Sequence, residues 1–182
     1  MKRNSLLTYL NKYVAIDDPE TEMLHTTIQF VTDNPDCFER SLAVGHITAS
    51  GWVVDGSREQ ALLMHHRKLD RWFQPGGHCD GDSEVIQVAK KEVEEETGIH
   101  GQLVFDGIFD VDIHTIPANS KEAEHLHYDI RFLFEADPKQ PLLINEESQS
   151  LKWINLIEIE KYNHSDSILR MVRKAIALQT FL

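Results

Sequence analysis

Four glutamates, Glu92, Glu94, Glu95 and Glu96, crowd one short stretch of a chain that has just passed through the glycine pair Gly76-Gly77. On a helix each residue turns the side chain by about 100°, so Glu92 and Glu96 at i,i+4, with Glu95 at i,i+3 from Glu92, project from one side while Glu94 points elsewhere. The opposing stripe, Ile86, Ala89 and Val93, is apolar and is expected to face a core. Like charges at i,i+4 destabilise a helix by roughly 0.2–0.5 kcal/mol per pair, and acidic groups near a helix C-terminus oppose the macrodipole as well. A bound divalent cation reverses that sign. A donor set of oxygens alone suits a hard cation such as Mg²⁺ or Mn²⁺, which keeps waters and binds substrate phosphates.

The stretch Gly77 to Ile99 resembles the signature box of the Nudix hydrolases: G, five residues, E, seven residues, then R-E-U-x-E-E-x-G-U, with U a bulky aliphatic residue. Gly77, Glu92, Val93, Glu95, Glu96, Gly98 and Ile99 all fall in place. Two positions depart: Ser83 stands where the pattern has glutamate, and Lys91 where it has arginine. In the family these two are thought to brace the glycine turn against the catalytic helix. Ser83 cannot form an ion pair, and Lys91 lacks the planar fork of arginine. Ser83 or Asp82 is expected instead to cap the helix, and Lys91 to meet Glu95 at i,i+4.

The resemblance extends to Trp72-Phe73-Gln74-Pro75-Gly76-Gly77, similar to the W-x-x-P-G-G lead-in of many members. It implies an α/β/α sandwich with a mixed β-sheet and a metal-dependent pyrophosphohydrolase acting on a nucleotide or another small phosphorylated metabolite. It further implies that Glu92, Glu95 and Glu96, with the carbonyl of Gly76, hold Mg²⁺, or Mn²⁺ in its place. Several members carry an additional glutamate in a later loop as ligand or base; here that is Glu147, six residues before Trp153, with Glu146 an equal candidate on sequence grounds. Arg67, Lys68 and Arg71 precede the glycine turn and are expected to reach substrate phosphates.

Two competing readings use other residues. His125, His127 and Asp129 alternate along a predicted strand and so share one face, a pattern open to zinc, with His78-Cys79 beside the glycine turn. A polar strand face backed by Leu126, Tyr128 and Ile130 gives the same alternation, and no Cys-x-x-Cys or His-Glu-x-x-His spacing supports zinc. The other reading, prompted by Ser83 and Lys91, is a Nudix-like fold that binds a nucleotide without cleaving it; the three box carboxylates argue against it.

A net charge of -12 argues against a general nucleic-acid binder, which needs a basic face. The basic start MKRNSLLTYLNKYVAIDD has no apolar run of signal-peptide length, and no stretch approaches a membrane span. With only Cys37 and Cys79 there is no disulfide framework, so a reducing cytoplasm is the expected setting. A homodimer is compatible with the sequence.

The elements that must position the glutamates alternate as in an α/β domain. Residues 1–40 read as an N-terminal helical extension packed on the domain, with Leu24, Ile28 and Val31 at helical spacing after Pro19, and residues 41–182 as the Nudix domain. Strands are predicted over 42–49 and 60–66, separated by turns at Ser50-Gly51 and Asp55-Gly56-Ser57, then at 102–114, 126–135 and 151–154. A last amphipathic helix begins near Ser165 with Ile168, Val172 and Ala175 on its apolar side. Trp52, Trp72, Phe73 and Tyr128 are candidates to stack on a base, although single aromatics in strands more often fill a core.

Overall fold

The computed structural model describes residues 2–118 and 123–179. In chain order the elements are α1 (Asn4–Lys12), α2 (Asp18–Asp33), β1 (Gly45–Asp55), β2 (Gln60–His66), β3 (Arg71–Phe73), β4 (Gly76–His78), α3 (Val85–Thr97), β5 (Gln102–Leu103), β6 (Asp110–Ile116), β7 (His125–Ala136), β8 (Ser148–Asn155), a 3₁₀ turn (Leu156–Lys161) and α4 (Asp166–Gln179). Among the described residues the strands form an eight-stranded sheet, with β3, β2, β1, β7 and β5 as successive neighbours, β4 beside β1, β6 beside β7 and β8 beside β2. None of the described helices is long and apolar enough to cross a membrane.

The chain divides into two compact units, the first Met1–Ser50, Gly77–Ala89 and Gly107–Phe132, the second Gly51–Gly76, Lys90–Asp106 and Leu133–Leu182. In the first unit, α2 starts where Asp17 accepts the Glu20 N–H at 2.9 Å, with Pro19 in the first turn and Asp18 and Glu20 favourably placed against the helix dipole. Glu20 is fully buried. Its carboxylate accepts from Tyr13 Oη at 2.6 Å, from the Ile16 N–H at 2.9 Å and from the Val111 N–H at 3.2 Å, tying the start of α2 to β6. β6 and β7 pair antiparallel from Asp110 opposite Arg131 to Ile116 opposite His125. The guanidinium of Arg131 is shared among Asp110, Asp112 and Asp129 at 3.1, 3.1 and 2.8 Å, all four buried.

In the second unit β2 is central, paired with β1, β3 and β8, the last over Gln60 opposite Asn155 to His66 opposite Ser148 with a bulge at His65/His66. The expected turn at Ser50-Gly51 is absent: β1 runs straight through it. Ten of the eleven β1 residues are buried, so no alternation of polar and apolar residues marks the strand. Gly51 is there for proximity. A Cβ on it would lie 2.4 Å from Val93 Cγ2 of α3 and 3.0 Å from Phe134 Cδ2, and its N–H donates to the Pro75 carbonyl at 3.0 Å. One strand position thus sets both how close the end of α3 lies to β1 and where the segment before the glycine pair runs.

Other sequence expectations shift by a few residues. The predicted strand over 102–114 divides into β5 and β6 around Asp106-Gly107, with the Val104 N–H reaching the Leu133 carbonyl at 3.0 Å. The buried stripe of α3 is Val85, Val88, Ala89 and Val93, while Ile86 is only half-buried. The short strands β3 and β4 and the 3₁₀ turn follow no hydrophobic period long enough to mark them, whereas α1, with Leu6 and Leu10 buried one turn apart, falls within the helical extension expected over residues 1–40.

Gly51→Ala should therefore destabilise the protein by about 1–3 kcal/mol, since the added methyl must displace Val93. Urea melts of the variant should show a lower midpoint at unchanged slope, and an unaltered midpoint would refute the close-approach argument.

Candidate active site

Glu96 lies eleven residues after Val85 and seven after Ala89, and so falls on the buried stripe of α3 rather than on its solvent side. It is 5% exposed. Its Oε2 accepts the Gly76 N–H at 2.8 Å, which ties the glycine turn to the last turn of the helix. Burial pushes its carboxyl up from the ordinary 4.5 to about 8; the Gly76 N–H opposes this, while the charges of Glu92, Glu147 and Glu95 add to it. Three carboxylates predicted as site residues, Glu92, Glu95 and Glu147, thus lie near enough to act on the fourth, Glu96. Glu92 is half-buried, and Glu95 is exposed and meets Lys91 at 3.6 Å, the i,i+4 pair expected from the sequence. Glu94 turns away to His100 Nδ1 at 3.2 Å.

The helix closes at Thr97 and Gly98. Thr97 Oγ1 donates to the Val93 carbonyl at 2.6 Å, and the Gly98 N–H to the Glu94 carbonyl at 2.9 Å. Ahead of α3, Asp82 Oδ1 accepts the Glu84 N–H at 2.9 Å. Of the two capping candidates, Asp82 is the one that takes up a backbone donor before the helix.

Glu147 sits on an exposed turn held from several sides. Asn145 Oδ1 accepts the N–H groups of Glu147 and Ser148 at 2.9 and 3.2 Å, and the Glu147 carbonyl accepts the Arg67 N–H at 2.8 Å. Arg67 Nε and Nη2 donate to the carbonyls of Glu146 and Ser148 at 3.0 and 2.8 Å. The guanidinium expected at substrate phosphates is thus engaged with the turn that carries Glu147. Lys68 and Arg71, in and just after the β2–β3 turn, are exposed. His66, which the sequence did not single out, stands in the same region: its Nδ1 accepts the N–H groups of Lys68 and Leu69 at 3.2 and 3.3 Å. Burial and Lys68 lower its pKa, and Glu147 opposes them. Only the bulge at His65/His66, invisible in the sequence, marks Asn145, Arg67 and His66 as one assembly.

A NUDIX domain model matches residues 45–174, well over half of the chain. The chain belongs to the Nudix family. Its fold class is the α/β/α arrangement of that family with a mixed β-sheet, and it is a Nudix-type hydrolase acting on phosphorus-containing anhydrides. It is similar to a C. elegans Ap4A hydrolase in a binary complex, with a TM-score of 0.61 at 19% identity over 75% of this chain and 98% of that one. It is also similar to the E. coli dihydroneopterin triphosphate pyrophosphohydrolase, at 0.55 and 12% identity over 72% and 95%. A Nudix-family hydrolase from Clostridium perfringens follows at 0.53 and 20% identity over 73% and 97%. At these identities the likeness is one of fold. No match was found among curated proteins.

Around this Nudix box the candidate aromatics separate. Trp52 is fully buried, and Tyr128 is buried against Phe30 in a stacked pair at 3.9 Å, so both belong to the core. Trp72 is half-buried, stacked on His65 at 5.0 Å with Tyr162 edge-on at 5.4 Å. Cys37 and Cys79 are free and buried, and burial pushes both thiols up, Cys37 to about 11.

The raised Glu96 carboxyl makes a signed prediction for protein in chelator. The folded state holds this proton more tightly than the unfolded chain, so the contribution to stability is complete below about pH 4.5 and fades as the pH rises through about 8. Glu96→Gln should flatten the stability profile between those limits and be the more stable form at pH 8. Urea melts across that range on both proteins would show it, and parallel profiles would contradict it.

Proposed function

We propose that the protein is a metal-dependent hydrolase that cleaves the diphosphate linkage of a nucleoside diphosphate derivative or a related small phosphorylated metabolite. The observation that carries this reading is the buried Glu96, fixed by the Gly76 N–H with Glu92, Glu95 and Glu147 close enough to raise its pKa. Carboxylates alone make a hard oxygen donor set, the kind that fits Mg²⁺ or Mn²⁺. Glu92, Glu95 and Glu96, with the Gly76 carbonyl, would hold the ion, which neutralises charge on the phosphate oxygens and lowers the pKa of a bound water.

The chain supplies the rest. The Gly76 N–H fixes one oxygen of Glu96 and leaves the second for a cation. Water adds to phosphorus as the bridging P–O bond breaks, the water proton passes to Glu95 or Glu147, the two solvent-facing carboxylates, and the leaving phosphate departs as an anion. Lys68 and Arg71 are the cations that would meet the outer phosphates. Arg67 acts as a positioning residue through the Glu147 turn. The names of the similar structures, hydrolases of Ap4A and of a pterin triphosphate, support a phosphoanhydride of this size, and the net charge of -12 supports a small molecule over nucleic acid.

The domain division keeps its place in this reading: residues 1–40 as a helical extension packed on a Nudix domain of residues 41–182. The family match beginning at residue 45 and the burial of Leu6, Leu10, Leu24 and Val31 support it.

On the best substrate from a panel of nucleoside diphosphate derivatives with Mg²⁺ and Mn²⁺, Glu92→Gln and Glu95→Gln should each lower kcat by about 100-fold or more. Glu94→Gln should be near neutral, and excess chelator should abolish turnover. Full activity of both variants, or turnover that survives chelator, would sink the assignment.

A further inference from the structure

Five of the ten histidines gather in the first unit. His127 is the hub, with ring centroids 4.7 Å from His46, 5.0 Å from His78, 5.4 Å from His114 and 5.2 Å from His125. His46 lies 5.1 Å from His125 and 5.0 Å from His78. Strand period accounts for the grouping. His46, Thr48 and Ser50 share one face of β1, and His125, His127 and Asp129 share one face of its neighbour β7. Thr48 and Ser50 both donate to Asp129, at 3.1 and 2.9 Å, which sets the two faces side by side. On the other side β6 pairs His114 with His127. Gly45 sits at φ +140° with the Leu126 carbonyl oxygen 2.4 Å from where a Cβ would be, so the start of β1 lies against β7 and brings His46 to His125 and His127.

This placement changes the metal alternative read from the sequence. Asp129, the expected third ligand, has both oxygens engaged, by Thr48 on one and by Ser50 and Arg131 on the other. The residue that joins His125 and His127 is His46: one ring nitrogen from each of the three lies within 4.8 Å of the others. We propose that His46, His125 and His127 form a transition-metal site that takes Zn²⁺.

Three observations support it. His125 Nδ1 lies 2.8 Å from the Ala123 carbonyl. A carbonyl can only accept, so Nδ1 carries the proton and the Nε2 lone pair is left for a metal, the arrangement in which a ligand histidine is held by its other nitrogen. His114 is fixed in the same way by Asp112 at 3.3 Å, and with His78 it is a further nitrogen donor in the cluster. Buried His127 Nε2 has no hydrogen-bond partner among the described residues, which leaves that nitrogen for a ligand. Tetrahedral zinc with nitrogen ligands at about 2.0–2.1 Å needs donors about 3.3 Å apart, so from separations within 4.8 Å the nitrogens close by up to about 1.5 Å on binding, within reach of χ adjustments.

Untagged full-length protein, stripped with chelator and titrated with Zn²⁺ against a chromophoric chelator, should take up one equivalent with a Kd below about 1 μM. Co²⁺ in its place should give the visible absorption of a nitrogen-ligated ion. His125→Gln and His127→Gln should each weaken uptake by about 100-fold with circular dichroism unchanged. Glu92→Gln/Glu95→Gln should keep it, which separates this site from the carboxylate reading: loss of hydrolysis with zinc retained leaves both standing. In the unaltered chain, Zn²⁺ should protect His125 and His127 from diethyl pyrocarbonate, a readout that needs no variant. Uptake short of one equivalent, uptake equal in the histidine variants, uptake lost in the glutamate variant, or modification of both histidines undiminished by zinc would each overturn the proposal.

Discussion

A carboxylate cannot be taken out of water without a partner, and the placement of Glu96 on the buried stripe of α3 is the constraint around which the candidate active site is arranged. Desolvating an ionised carboxylate costs several kcal/mol even after relaxation. The structure meets that demand with one backbone donor, the Gly76 N–H at 2.8 Å, and with a proton held to about pH 8. Neither is sufficient for a fully charged group. The residual demand for positive charge is what the proposed divalent cation would meet, so the same burial that destabilises the ligand-free protein at neutral pH would become binding energy for that ion. Gly51 matters for the same reason. By letting the end of α3 close onto β1 it keeps Glu96 buried, and its N–H to the Pro75 carbonyl holds the residue next to the donor glycine.

Two acidic clusters among the described residues are supplied in different ways. Asp110, Asp112 and Asp129 converge on Arg131, whose guanidinium is buried with them and donates to all three. Thr48 and Ser50 satisfy further lone pairs, so this network is internally supplied and serves to order β6 and β7. Around Glu96 the contacts differ: a backbone N–H reaches the buried carboxyl, and on the exposed rim Lys91 lies beside Glu95 at 3.6 Å. Carboxylates that are supplied from within hold a fold together. A buried carboxyl met by a single backbone donor, by contrast, keeps its proton to about pH 8.

Much of this was readable from the sequence because it rests on short-range periodicity. The box spacing placed Glu92, Glu95 and Glu96 on one helix, and the Lys91–Glu95 pair and the separate course of Glu94 follow from helical geometry alone. What was not readable depends on pairing between distant segments. β1 is buried along nearly its whole length and shows no alternation, so the Ser50-Gly51 dipeptide looked like a turn when Gly51 is instead a contact point for Val93. The seat of Arg67 was hidden because its partners, the carbonyls of Glu146 and Ser148, lie some eighty residues away in sequence. His46 drew no attention for the same reason. Its alternation with Thr48 and Ser50 acquires meaning only when it is set beside His125, His127 and Asp129 on the neighbouring strand.

The two departures from the family pattern can be understood through the strength of the pair that replaces the brace. Both partners of the Lys91–Glu95 contact are more than half exposed, at 65% and 57% of their side-chain surface. An ion pair this exposed contributes at most about 1 kcal/mol. Lysine is also a single point charge, unable to grip both oxygens of a carboxylate as an arginine fork does. Glu95 is therefore held loosely enough to turn toward an incoming cation or water at little cost. The glycine turn does not depend on that pair, because the Gly76 N–H fixes it through Glu96, and Asp82 at the Glu84 N–H orders the approach to α3. Replacing arginine with lysine thus relaxes the one carboxylate of the set that faces solvent on the helix, and leaves the buried one where the fold requires it.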